Sequence, residues 1–260
     1  MKYLFPVFLF CSIATYGQQG TTAPLKMKGA YSMTKQIVNN GFKDEILPTK
    51  QLKIYTDRYV MYAAPISPTD SLASFGIGTY NINNGKVNEY FFYTAATGEE
   101  KDTALLAIEK LPSGYKQVIV YPPFKDTVYT LTEEYDKVDK ATVSSLDGTW
   151  KLSKSYFITS KGDTAANNDT QYKIYYGGYF IWGAGHRDSA SNKNTGSFGY
   201  GSFKMDGLKV TETNTNSTYI SDLIDKPVTI DIKFFGKDSY MQTLTDPTGG
   251  KLVEIYKRMN

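Results

Sequence analysis

Apolar and polar residues alternate with a period of two along most of the chain. That is the pattern of strands with one face in a core and the other in water. In the C-terminal half the runs fall at about 147–158, 170–177, 178–185, 196–205, 208–215, 227–235, 238–246 and 251–259. Turn residues separate several of them: Gly177-Gly178, Asp206-Gly207 and Gly236-Lys237-Asp238. Strands joined by short turns form an antiparallel meander. A meander of eight closes into a barrel because closure removes its exposed edges. One short helix is expected in each half. Asp102 to Leu111 opens on a capping residue and is stopped by Pro112, and Ser217 to Asp225 ends just before Pro227.

The N-terminal half repeats the pattern. Residues 51–65 read QLKIYTDRYVMYAAP and residues 171–185 read QYKIYYGGYFIWGAG, identical at six of fifteen positions. The match continues with Phe75 to Tyr80 against Phe198 to Phe203, and with Lys86 to Glu89 against Lys209 to Glu212. Gly29-Ala30-Tyr31 precedes it as Gly148-Thr149-Trp150 precedes the second copy, and Asn84-Gly85 stands where Asp206-Gly207 stands. The order is collinear, and only loops change length. Self-similarity of this kind marks tandem structural units. The expected organisation is a leader over 1–17 and two all-β, eight-stranded up-and-down barrels over 25–140 and 145–260, joined by the polar run Lys137 to Ser145.

These residues resemble the lipocalin-like domains of exported Bacteroidetes proteins. The second copy carries more of the pattern: Gly148-Thr149-Trp150, Lys173, Phe180-Ile181-Trp182, Gly201-Ser202-Phe203, Glu212, and Glu254 with Arg258. In the first copy Tyr31 and Tyr62 replace the two tryptophans, and Glu134 with Lys137 match the ending loosely. The resemblance implies a calycin-type barrel. It implies less about function, since one fold hosts many. Trp150 and Arg258 are expected to be neighbours across the first and last strands, with the guanidinium on the indole face, as a structural closure.

Composition narrows the chemistry. The formal charge of +3 is spread among interspersed acids, unlike the basic face of a nucleic-acid binder. Twenty-two Tyr and fourteen Phe suit strands. His186 is the only histidine and reads as a loop residue with its ring in water. The only cysteine, Cys11, lies in the leader. No cofactor, metal site or catalytic residue is expected, so the chain reads as non-enzymatic. Gly76-x-Gly78 and Gly199-x-Gly201 lie inside strand-like runs and precede no helix, unlike a phosphate loop.

The expected ligand site lies in the second copy, on the hairpin 171–185 and the fifth strand. Lys173 and Tyr175 share one face of the second strand, while Tyr179 and Trp182 lie on opposite faces of the third. Lys173 and Tyr179 are the polar groups expected to meet a ligand, with Glu212 as counter-charge. Whether Lys173 and Glu212 face the interior or water stays open, because a buried charge requires a partner. Two functions stay open as well. One is a binding protein holding a small apolar or amphipathic molecule. The other is an envelope-associated protein or glycan interaction module with filled barrels.

Lys2 followed by the apolar stretch Tyr3 to Ile13 and the small residues Ala14, Thr15 and Gly17 reads as a secretory signal, too short to span a bilayer. No later stretch reads as a membrane span. The expected location is periplasmic or extracellular, and intact mass of the mature protein should start at Gln18. A mass starting at Met1, or a diacylglycerol on Cys11, would contradict export by this route.

Overall fold

A computed structural model of the chain describes residues 25–65, 73–99, 101–123, 128–167, 169–187, 194–218 and 221–260. The leader lies outside these residues. The first half contains β1 (Gly29–Asn39), β2 (Asp44–Leu47), β3 (Leu52–Tyr55), β4 (Tyr59–Pro65), β5 (Ala73–Asn83), β6 (Lys86–Thr94), β7 (Asp102–Lys110), β8 (Gly114–Val120) and β9 (Thr130–Lys137). The second contains β10 (Gly148–Ile158), β11 (Thr164–Asn167), β12 (Thr170–Tyr176), β13 (Tyr179–Arg187), β14 (Asn194–Asp206), β15 (Lys209–Ser217), β16 (Pro227–Phe234), β17 (Ser239–Thr245) and β18 (Lys251–Arg258).

Every strand pairing is antiparallel, and each half closes, by β1 with β9 and by β10 with β18. The short strands β2 and β11 pair with the far ends of β1 and β10, whose near ends pair with β3 and β12. Each is therefore a broken-off piece of the barrel's second strand, and eight strand lines remain. This is the up-and-down, lipocalin-like architecture implied by the resemblance. Turn chemistry sets the hairpins where it was expected. Asn84 (φ 51°) and Gly85 (φ 73°) both adopt the left-handed conformation, as do Gly177 and Gly178.

The two expected helices are corrected. Asp102 to Lys110 is strand β7, with Leu106 buried and Leu105 exposed, as the period of two requires. It pairs with both β6 and β8. A helix there would leave both neighbours with unpaired edges, so closure overrides local helix propensity. In the second half, β15 runs on to Ser217 and only Ser221–Leu223 forms a single 3-10 turn.

One end of the second barrel is closed by Trp150, which is fully buried and donates from Nε1 to Leu146 O at 2.8 Å. Arg258, its register partner on β18, lies 4.0 Å from the indole centre and donates from Nη1 to Asp147 O at 2.7 Å. Such stacking contributes about 0.5–2 kcal/mol. Tyr31 and Lys137 hold the corresponding register in the first barrel.

The barrels also pack on each other. One core cluster joins Ile54, Met61, Phe75, Ile77 and Tyr93 of the first to Ile174, Ile181, Phe198 and Tyr200 of the second. The same outer face of both copies, β3–β4–β5 and β12–β13–β14, makes this contact. All four residues of β3 are consequently buried, as are Tyr172 to Tyr175 of β12. A strand usually spends one face on water; these spend one on the barrel interior and one on the other barrel. The seating is close at glycines. A Cβ on Gly183 would overlap the Phe75 ring, and one on Gly185 the Tyr93 hydroxyl. Ala63 and Pro65 stand at the equivalent places in the first copy.

Gly183→Ala should therefore destabilise the protein by about 1–3 kcal/mol through overpacking. Urea unfolding measures this, and adding Phe75→Leu should recover part of the loss. Simple additivity of the two changes would show that the ring and the glycine do not meet.

Candidate functional site

Alternation along β12 sends Lys173 and Tyr175 inward and Ile174 outward. Lys173 is fully buried, with Nζ 2.7 Å from Glu212 Oε1 on β15 and 3.4 Å from Gln242 Oε1 on β17. It also lies 5.1 Å from the centre of the Tyr175 ring. The Tyr175 hydroxyl donates to Glu212 Oε1 at 2.5 Å. Gln242 Nε2 donates to Glu254 Oε2, and the Tyr256 hydroxyl reaches the same oxygen at 3.1 Å. Gln171 Nε2 in turn donates to the Tyr256 hydroxyl. Burial, and then Glu212 and Glu254, push the phenols of Tyr175 and Tyr256 well above their ordinary 10.0. Both stay protonated and serve as donors. Taking two charges out of water is repaid only by good geometry and further hydrogen bonds, and this network supplies both.

The first barrel repeats the network side chain for side chain. Lys53 Nζ lies 3.1 Å from Glu89 Oε1 and 3.4 Å from Gln117 Oε1, and the Tyr55 hydroxyl donates to Glu89. Gln117 Nε2 and the Tyr135 hydroxyl donate to Glu133 Oε2 at 2.5 and 2.9 Å. Gln51 Nε2 donates to the Tyr135 hydroxyl. Here Glu133 also has a donor on its other oxygen, Gln36 Nε2, at 2.7 Å.

Two interior differences between the copies bear on these networks. Gln36 pairs with Glu133 across β1 and β9, and Ser155 pairs with Glu254 across β10 and β18. Phe91 stands opposite Gly78, and Asn214 stands opposite Gly201. Ser155 and Asn214 are only 5% and 3% exposed, yet Ser155 Oγ and Asn214 Oδ1 have no hydrogen-bond partner. The unbonded hydroxyls of Tyr115 and Tyr240 are common to both copies and do not distinguish them. Both bonds to Glu254 fall on Oε2, and among the described residues no donor matches Gln36. Burial raises the Glu254 carboxyl above its ordinary 4.5, against the pull of Lys173. A groove of about 510 Å³ reaches Ser155 along β10 and β11, past Leu152, Thr164, Asn167 and Asp169.

Of the side chains expected at a site, the structure brings Lys173, Tyr175 and Glu212 together inside the second barrel. Trp182 packs on the same interior, with Nε1 and Asn214 Oδ1 both crowding Gly199. Tyr179 does not join them. It is the register partner of Tyr176 and packs on the cluster between the barrels, because it shares a strand face with Ile181. His186 is exposed at the end of β13, 3.2 Å from Asp169 Oδ1 and outside the network. Among the described residues no cluster of three His, Cys, Asp or Glu is placed to hold a metal ion. No helix among them is long and apolar enough to cross a membrane.

Sequence reasoning missed Gln171, Gln242, Tyr256, Ser155 and Asn214 as interior groups. The repeat carried the signal, but its ending was matched to Glu134. The register shows that Glu133 is the equivalent of Glu254. The one-residue shift would send the carboxylate to the opposite strand face.

Lys173→Met should cost about 3–5 kcal/mol, since it strands Glu212 and Glu254 without their cation. Chemical denaturation checks this, and Lys53→Met should do the same in the first barrel. A loss under about 1 kcal/mol would mean the carboxylates are solvated.

No protein-family model matches the chain, and no curated protein does either. Among solved structures it is similar to a lipocalin-like protein from Bacteroides uniformis, at 15% identity and a TM-score of 0.31, over 45% of this chain and 100% of that one. It is also similar to a protein of unknown function of the DUF3598 family from Nostoc punctiforme, at 10% identity and a TM-score of 0.25, over 89% of this chain and 96% of that one.

Proposed function

We propose that the chain is an exported, non-enzymatic binding protein. In this reading the first barrel is a self-filled structural copy, and the second holds a small amphipathic molecule in the half of its interior beside Ser155. The observation that carries this is the difference between two otherwise duplicated networks. A buried polar atom without a partner costs about 1–3 kcal/mol, and native proteins keep few of them. The first copy fills the position with Gln36 and the second leaves Ser155 Oγ unbonded. Export rests on the leader. The absence of catalytic activity rests on the chemistry of the side chains: one exposed histidine, and one cysteine confined to the leader.

One observation favours a second reading, an interaction module. Phe42 is 89% exposed on the β1–β2 turn of the first barrel, and Val120, Tyr121 and Val128 are exposed at the same rim. Register brings these together, since Asn39 pairs with Thr130 and Thr130 with Val120.

Native mass spectrometry of the protein purified from its own source separates the two. The expected result is a small-molecule adduct that Ser155→Gln removes. An adduct-free spectrum of wild type would overturn ligand binding and leave the rim as the functional surface.

A further inference from the structure

Three side chains form one row across neighbouring strands of the second barrel: Ser155 on β10, Glu254 on β18 and Gln242 on β17. Two residues along each strand, on the same face, the next row towards the mouth is Phe157, Leu252 and Leu244. The row beyond the polar one is thus apolar, with Phe157 38% exposed. In the first barrel the corresponding polar row is complete in itself, because the Gln36 carboxamide donates to Glu133 Oε1 at 2.7 Å. In the second, the shorter Ser155 leaves its own Oγ unbonded while both donors to Glu254 sit on Oε2.

Charge sharpens the requirement. The interior network of the second barrel holds one cation, Lys173, and two carboxylates, Glu212 and Glu254, the same balance as Lys53, Glu89 and Glu133 in the first. Lys173 is committed to Glu212 at 2.7 Å. What would complete this site is an N–H donor at Glu254 Oε1, and a positive one would also neutralise the excess charge. A carboxamide would supply the hydrogen bond alone. A carboxylate or phosphate would meet Glu254 with like charge.

We propose that the second barrel binds a primary ammonium ion, with its N–H groups placed between Ser155 Oγ and Glu254 Oε1 where the first barrel holds its own Gln36 carboxamide. This rests on the reading of the second barrel as the binding copy and names the class of its ligand. The organic body of the amine lies against Phe157, Leu252 and Leu244, so a short alkyl or aryl group is accepted. A groove along β10 and β11 runs past Ser155 on the barrel wall. Burial disfavours the ionised Glu254, and a cation at its free oxygen holds it ionised.

The test is isothermal titration of the whole mature chain with hexylammonium, hexanamide, hexanol and hexanoate at neutral pH. Hexylammonium should saturate a single site, and the other three should bind at least about 10-fold more weakly. Glu254→Gln should weaken hexylammonium roughly 10- to 100-fold. Ser155→Gln copies the residue of the first barrel and should abolish binding while raising Tm. Gln36→Ser should open a second hexylammonium site, in the first barrel. Equal binding of hexanol or hexanoate, no hexylammonium binding, or binding indifferent to Ser155→Gln would overturn the ammonium. A neutral or anionic molecule carried by the native protein and displaced by Ser155→Gln would overturn it too, yet leave the binding reading standing. Native protein free of any small molecule would remove both.

Discussion

An ammonium group at the centre of a closed barrel is the constraint to which both halves of this protein answer. Lys53 and Lys173 sit where no water shell is available, and each must be neutralised by the walls around it. Glu89 and Glu212 do this from across the barrel, and a glutamine on the eighth element of each half hands the network on to a second glutamate. Polar groups from four strands, three of them ionic, therefore meet in each network. A slip of one residue in any of those strands would turn a network member outward and strand its partner. The polar centre adds directional bonds to a core whose remaining contacts are mostly aromatic edges and faces.

Much of this architecture is legible in the sequence because it is written twice. Collinear matches between the halves expose the repeat, and turn residues such as Asn84-Gly85 and Gly177-Gly178 mark the hairpins by the positive φ they require. Single stretches are harder. Asp102 to Lys110 has the composition of a helix, and only the need to close the sheet makes it a strand. Tyr179 looks like a site residue because it recurs as Tyr59, but it recurs for contact between the barrels. The strong likeness of 51–65 to 171–185 has the same origin. These segments are constrained on both faces, whereas a one-sided strand leaves half its positions free to vary.

The site was harder to read than the fold. Lys173, Tyr175 and Glu212 are recognisable from their recurrence, since each has an equivalent in the first copy. What distinguishes the second copy is the reverse of recurrence: Ser155 for Gln36 and Asn214 for Phe91. A serine on a strand reads as unremarkable until register shows that it faces inward beside a carboxylate. Duplication here keeps one half as an internal standard against which a departure in the other becomes visible.

The contact between the barrels has a consequence for assembly. A patch that meets its own equivalent through an approximate two-fold closes on itself and leaves no second surface for growth. Its details also sort the halves. Two first barrels would press Phe75 and Tyr93 against Ala63 and Pro65, while two second barrels would offer Asn216 where Gly185 seats a tyrosine ring. Unlike halves fit best, and the short joint, which bonds to the first barrel through Val138 and to the second through Lys140, keeps the matching partner at high local concentration. The two apolar faces are thereby spent on each other within a single chain.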